Sequence, residues 1–177
     1  MLMRPAVFLD RDGVLNKLVW REGRGVSPRA LSEFEVLPEA AACVEALRRA
    51  GLLLVVVTNQ PDIARGFLTP TELEGMHARL QELVQVDAIY VCPHDDSDRC
   101  SCRKPKAGLL LRASRELKID LPLSYLVGDT WKDVAAGRAA GCKTILVATD
   151  EAVVRGSSAD SSVPSLEMAA KLICDGR

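Results

Sequence analysis

Phe8-Leu9-Asp10-Arg11-Asp12-Gly13-Val14-Leu15 decides how this chain is read. An apolar run from Pro5 to Leu9 ends in two aspartates one residue apart, followed by a glycine. Asp-x-Asp-Gly does not extend a strand, so both carboxylates sit where the strand opens into a loop. Along an extended backbone, residues i and i+2 project to the same side. Asp10 and Asp12 are therefore predicted to face one site, where two negative groups repel unless a cation lies between them. Hard oxygen ligands of this kind suit Mg²⁺. An isolated pair of this sort is usually a strand end with a solvated acidic turn. Here three further segments able to do chemistry follow later strand signals, and together they point to a site.

Outward from this strand, β and α signals alternate. Leu52 to Thr58 is a continuous apolar run, as expected for a strand buried on both faces. Further strands are predicted over Asp87–Cys92, Tyr125–Val127 and Thr144–Val147. Helices are predicted from Pro38 to Ala50, stopped by Gly51, and from the Thr69-Pro70-Thr71-Glu72 start to Val84. Three more cover Lys106–Lys118, Lys132–Ala140 and Ser165–Cys174, while Asn16–Glu35 and Gly156–Ser162 read as loops. Repeated βα units imply an α/β fold, a doubly wound, Rossmann-like parallel sheet with helices on both faces. The segment between Asp12 and the first helix is too short for a large cap domain, so residues 1–177 read as one domain. Such sheets bind ligands beyond the carboxyl ends of their strands, where Asp10, Thr58, Cys92 and Asp129 all fall.

The 177 residues, 48% of them hydrophobic, suffice for a sizeable core. A net charge of −1 provides no global basic field, so neither nucleic acid nor an anionic membrane is expected as a partner. The longest aliphatic run, Leu52–Val57, is far short of the roughly 20 residues that span a bilayer. The N-terminus enters the first strand almost at once, leaving no room for a signal peptide. Six cysteines without an export signal point to a reducing compartment, where metal ligation outranks disulfides. A cytoplasmic monomer is the expectation.

The remaining segments supply the chemistry. Thr58-Asn59-Gln60 offers a hydroxyl and backbone N–H groups that suit a phosphoryl oxygen. Arg103-Lys104-Pro105 places two cations just before a helix. Val127-Gly128-Asp129 ends a strand in an acid, with Asp133 four residues on. Taken together these describe phosphoryl transfer. Asp10 is the candidate nucleophile, forming an aspartyl-phosphate. Asp12 is the candidate acid/base. Asp10, Asp129 and the Asp12 carbonyl are the candidate Mg²⁺ ligands, with Lys104 and Thr58 stabilising the transferring oxygens. Asp133 is expected to orient Lys104 or a metal-bound water. Arg11, Asn59, Gln60, Arg65 and Arg103 are candidates for contact with substrate.

Cys92-Pro93-His94 and Cys100-Ser101-Cys102 add three thiolates and an imidazole in one compact loop, residues 92–102. Cys92, His94, Cys100 and Cys102 form a Cys₃His set suited to a closed, structural Zn²⁺ site. That site would fix the loop directly before Arg103 and Lys104. Cys43, Cys142 and Cys174 read as small apolar residues and His77 as solvated.

With FLDRDG, VVVTNQ, Lys104 and VGDTWKD in order, the chain resembles the haloacid dehalogenase superfamily of phosphohydrolases along nearly its whole length. The C-x-H…C-x-C-R-K-P element is similar to the branch holding heptose bisphosphate and histidinol-phosphate phosphatases. That resemblance implies zinc in the loop and a nearby arginine for substrate recognition. I-A-R-G at residues 63–66 is similar to the heptose enzymes, and Arg21, Arg24, Arg65 and Arg103 would surround a second phosphate. The implied substrate is a heptose 1,7-bisphosphate, cleaved at C7. The chain departs from the pattern at Pro61-Asp62, where Ser-Gly is usual, and at Thr130, where a lysine often stands. Acidic Asp95, Asp96 and Asp98 would suit a cationic substrate such as histidinol phosphate, which stays open as the alternative. A polynucleotide 3′-phosphatase and an inactive zinc-stapled interaction module are the remaining readings.

Overall fold

The computed structural model describes residues 3–176. Its centre is strand β1 (Ala6–Leu9), in which all four residues are buried. β1 is flanked by β4 (Leu53–Asn59) and β6 (Tyr125–Gly128), with Phe8 in register with Val55 on one side and Leu126 on the other. β5 (Ala88–Cys92) extends the sheet beyond β4, and β7 (Lys143–Val147) then β8 (Ser161–Val163) extend it beyond β6. All six strands are parallel, in the order β5-β4-β1-β6-β7-β8. From β1 the chain first winds outward to β5, then returns to wind the other way from β6. The strand order reverses beside β1, and that is where a doubly wound sheet opens a crevice at its carboxyl edge.

Alternation along the strands builds two cores. Val7, Leu9, Leu54 and Val56 face one side, packed with α1 (Ala40–Arg49), α2 (Pro70–Val84) and α6 (Leu166–Asp175). Ala6, Phe8, Val55 and Val57 face the other, under α3 (Gly108–Leu117) and α4 (Trp131–Ala140). Burial on both faces is what makes these strands continuous apolar runs. Helix α2 begins as the sequence indicates: the Thr69 side chain accepts from the Glu72 N–H, and Pro70 occupies the first turn. Among the described residues no helix is long and apolar enough to cross a membrane.

Two segments read as loops carry structure. Within 16–35, β2 (Val19–Arg21) and β3 (Arg24–Val26) pair antiparallel. Glu22 and Gly23 turn between them with φ of 49° and 75°, the two positive values a tight primed hairpin turn requires. The segment after β7 forms a short helix, α5 (Glu151–Gly156), and then β8. β8 is an edge strand with a serine-rich sequence, so no apolar run marks it. It is seated by Asp160, whose Oδ2 accepts from both the N–H and the hydroxyl of Thr144 at 2.7 Å.

Candidate active site

β1 delivers Asp10 to the crevice, its backbone N–H donating to the Val127 carbonyl of β6. One carboxylate oxygen, Oδ1, accepts from the Arg11 N–H at 2.8 Å and lies 2.9 Å from Lys104 Nζ. Lys104 is buried, and its ammonium is fully committed: the other contacts are the Val57 carbonyl at 2.9 Å and Asp133 Oδ1 at 2.5 Å. Burial alone would lower the Lys104 pKa, but Asp10 and Asp133 more than offset it, so the side chain stays charged. Asp133 does double duty. Its second oxygen accepts from the N–H and hydroxyl of Thr130 in a capping box that starts α4.

Asp10, Asp129 and Asp133 bring carboxylate oxygens within 4.8 Å of one another. Burial, followed by the Asp133 charge, pushes Asp10 well above the ordinary range and Asp129 up to about 7. Such mutual repulsion is what a hard divalent cation relieves, so these residues fit Mg²⁺. Asp133 is already engaged by Lys104 and Thr130, which leaves Asp10 and Asp129 as the carboxylates to hold it. Gly13 is indispensable to this packing. Its φ is +81°, and a Cβ there would lie 2.2 Å from Asp129 Oδ2.

Asp12 is held in a different environment. Its carboxylate accepts from Arg11 Nε and Nη2, Asn16 Nδ2, the Ser27 hydroxyl and Gln60 Nε2, at 2.7–3.1 Å. Burial works against the charge, but Arg11 and these donors hold the Asp12 pKa below its usual value. The Arg11 guanidinium, expected to contact substrate, is fully buried behind Asp12, bonded to it and lying 5.3 Å from the Phe34 ring centroid. His77, expected in solvent, is half-buried with Nε2 3.2 Å from Arg11 Nη1.

The residues at the end of β4 serve mainly as a frame. Asn59 exchanges two bonds of 3.0 Å with the Lys104 backbone, and Gln60 Nε2 is shared between Asp12 and the Thr58 hydroxyl. Both line the cleft, and among the described residues nothing bonds the buried Gln60 Oε1. Thr58 is 1% exposed.

Cys92, His94, Cys100 and Cys102 converge as the sequence implies, their donor atoms all within 4.8 Å of each other. The Cys92 and Cys102 sulfurs are 3.0 Å apart, and His94 Nδ1 is 3.2 Å from Cys102 Sγ. Three sulfurs and one ring nitrogen around one point fit Zn²⁺ with no open position. α3 starts hard against this loop: a Cβ on Gly108 would meet the Ser101 carbonyl at 2.2 Å.

Above these groups lies an open cleft of about 370 Å³, lined by Asp10, Asp12, Lys104 and Asp129 at its base. Arg29, Arg65, Arg103 and Lys132 also line it. Arg21 is instead paired with Glu33 at 2.5 Å and Arg24 is exposed on β3, and neither lines the cleft. Two of the three acids of the cysteine loop are paired with arginines. Asp95 is bonded to Arg65 Nε and Nη2 at 2.9 and 2.6 Å, and Asp96 to Arg103 Nε at 2.7 Å. The sequence reading missed Ser27, Arg29 and Lys132. Ser27 and Arg29 lie in the supposed loop, and only the hairpin before them turns that stretch over the site.

A parallel sheet that sets an Asp-x-Asp strand beside a buried lysine and a Gly-Asp strand end defines a haloacid dehalogenase-like hydrolase. The family model described as HAD-hydrolase-like matches residues 101–169. The chain is 38% identical over 157 residues to the D-glycero-beta-D-manno-heptose-1,7-bisphosphate 7-phosphatase of Pseudomonas aeruginosa, spanning 86% of this chain and 85% of that one. The Vibrio cholerae protein of that name is 39% identical over 176 residues, spanning 92% and 91%. A crystal structure of the D,D-heptose 1,7-bisphosphate phosphatase from B. bronchiseptica, complexed with magnesium and phosphate, matches with a TM-score of 0.84. It is 29% identical and covers 98% of this chain and 99% of that chain. The chain belongs to the family of these heptose-1,7-bisphosphate 7-phosphatases.

Proposed function

We propose that this protein is an Mg²⁺-dependent phosphatase that removes the C7 phosphate of D-glycero-D-manno-heptose 1,7-bisphosphate. The observation that carries the reading is the opposite treatment of two neighbouring carboxylates. Asp10 lies beside Lys104 and Asp129, while Asp12 faces the same cleft within a shell of donors. Two acids held in different environments can take different roles.

Asp10 attacks the phosphorus, and the bond from phosphorus to the C7 oxygen breaks. Asp12, charged at rest, takes up a proton from the phosphate monoester as it binds and passes it to that oxygen, so a neutral alcohol leaves. Water then attacks the aspartyl-phosphate, Asp12 recovers a proton from it, and inorganic phosphate departs with Asp10 regenerated. Lys104 stands beside the reacting oxygens throughout, with its charge kept by Asp133. Asp10 and Asp129, with the Asp12 carbonyl, would hold Mg²⁺, whose charge offsets that of the phosphate. Thr58 is proposed to contact a phosphoryl oxygen. Cys92, His94, Cys100 and Cys102 would hold a structural Zn²⁺ that fixes the chain into Arg103, which faces the cleft from its anchor on Asp96.

Histidinol phosphate is the weaker reading, because two of the three acids that would greet its ammonium, Asp95 and Asp96, are bonded to Arg65 and Arg103. The test is a panel of phosphate esters assayed with Mg²⁺. Heptose 1,7-bisphosphate should show the highest kcat/KM, and a higher value for histidinol phosphate would reverse the assignment.

A further inference from the structure

Four arginines lie in or directly behind the cleft, and they differ in how much hydrogen-bonding capacity the protein already uses. Arg11 is buried and bonded to Asp12. Arg65 commits Nε and Nη2 to Asp95 and Nη1 to Asp62. Arg103 commits Nε to Asp96 and Nη1 to the His94 carbonyl. Arg29 commits only Nε, 2.7 Å from Asp62 Oδ2. Among the described residues no group accepts from its Nη1 or Nη2.

The plane of the Arg29 guanidinium is nevertheless fixed. It stacks on the Phe67 ring, 4.3 Å from the centroid. Asp62 and Phe67 belong to one turn, in which the Asp62 carbonyl accepts from the N–H groups of Phe67 and Leu68 at 2.9 and 3.0 Å. Asp62 itself is 6% exposed. The side chain is thus clamped at its inner edge and across its face, and it lines the cleft with its two terminal nitrogens unused. A pre-set guanidinium fork of this kind matches a pair of phosphate oxygens. We propose that Arg29 is a specificity-determining residue that binds the phosphate at the non-reacting end of the substrate. This rests on the sugar-bisphosphate reading above.

The test uses the full chain with Mg²⁺ and three variants: Arg29→Gln, Arg29→Lys and Phe67→Leu. Each is assayed with heptose 1,7-bisphosphate and with p-nitrophenyl phosphate, which has no second phosphate. Arg29→Gln should raise KM for the bisphosphate by roughly ten- to a hundred-fold, the worth of a charge-assisted contact, with kcat within about threefold. The rise for the aryl phosphate should be at least about tenfold smaller. Arg29→Lys should fall between, since it keeps charge but not the fork, and Phe67→Leu should move the same way by less. Equal losses on both substrates would reduce Arg29 to a structural strut and overturn the proposal, as would no loss on either. If the wild type does not prefer the heptose ester, the substrate reading fails by itself. Arg29 is then decided by inhibition of aryl phosphate turnover with a hexose 1,6-bisphosphate and with the hexose 6-phosphate. The bisphosphate should inhibit better, and Arg29→Gln should abolish that advantage; no advantage in the wild type would overturn the proposal.

Discussion

Asp10 and Asp12 are two residues apart, yet their surroundings drive their carboxyls in opposite directions. Burial and the charges of Asp133 and Asp129 raise Asp10, whereas Arg11 and three neutral donors lower Asp12. A carboxyl whose folded pKa is raised contributes stability below its unfolded value and loses that contribution as pH rises through the folded one. At pH 8 without metal, Asp10→Asn should therefore melt no lower than the wild type while losing at least about 10⁴-fold in turnover, the scale of a missing nucleophile. Turnover near wild-type levels would eliminate the covalent route. His77 supplies a second residue-level expectation. Burial first, then Arg11, lowers its pKa to about 4 from 6.5. The unfolded chain thus binds the proton more readily, so the His77 contribution is full above pH 6.5 and is lost as pH falls toward 4. Urea unfolding should show wild type losing about 1–2 kcal/mol more than His77→Gln over that interval, after allowance for partial exposure. Parallel curves for the two proteins would contradict this. Neither the Arg11 nor the His77 environment was legible in sequence, because Arg11 sits inside a strand-end motif and His77 among polar helix neighbours. Their meeting is a product of α2 packing across the loop after β1.

At the scale of elements, the sequence was most readable where burial is symmetric. β1, β4 and β6 are apolar on both faces, and each ends abruptly at a polar residue of the site, so their positions and chemistry were read together. β2, β3, β8 and α5 escaped for the opposite reason: the strands have three residues each and the helix six, with no buried side chain to impose a period. The hairpin turn was further disguised, since Glu22 takes a positive φ more often seen at glycine or asparagine. The cysteine loop was legible through ligand spacing alone, which requires no regular structure. Its proposed zinc site makes a graded prediction, because the two cations that follow it are not equally dependent on the loop. Lys104 is also held by Asn59 through both backbone groups, whereas Arg103 leans on Asp96 and the His94 carbonyl inside the loop. Cys102→Ser should release bound zinc, lower the melting temperature and cut kcat/KM by roughly ten- to a hundred-fold. Mg²⁺ dependence should persist with the same midpoint. Metal analysis of the wild type showing no zinc after preparation without chelator would remove the structural role assigned to these four residues.

Across the whole molecule, charge is arranged in two layers, a rim that nearly cancels and a floor that does not. The rim of the cleft sets Arg29, Arg65, Arg103 and Lys132 against Asp62, Asp95 and Asp96. The chain as a whole carries −1. Such a rim generates little long-range field, so any hold its arginines have on an anion would come from directed N–H groups at contact distance. The floor is a different matter. Among the described residues Asp10, Asp12, Asp129 and Asp133 face only Lys104 and Arg11 there, an excess of acid under the proposed phosphate position. A phosphate dianion approaching those carboxylates in a water-poor cleft is repelled by several kcal/mol at an effective dielectric near 20. A divalent cation on Asp10 and Asp129 would cancel that excess and set its own charge against the phosphate, so metal is expected to precede phosphate. Titration calorimetry with inorganic phosphate should accordingly detect no binding to the metal-free protein at millimolar concentration and clear binding once Mg²⁺ is saturating. The coupling is reciprocal, and phosphate should tighten Mg²⁺ by the same factor. Asp129→Asn removes one anionic ligand, so it should weaken Mg²⁺ and with it phosphate. Equal phosphate affinity with and without Mg²⁺ would show that Lys104 and the rim arginines hold the anion by themselves, and the two-layer account of this cleft would be wrong.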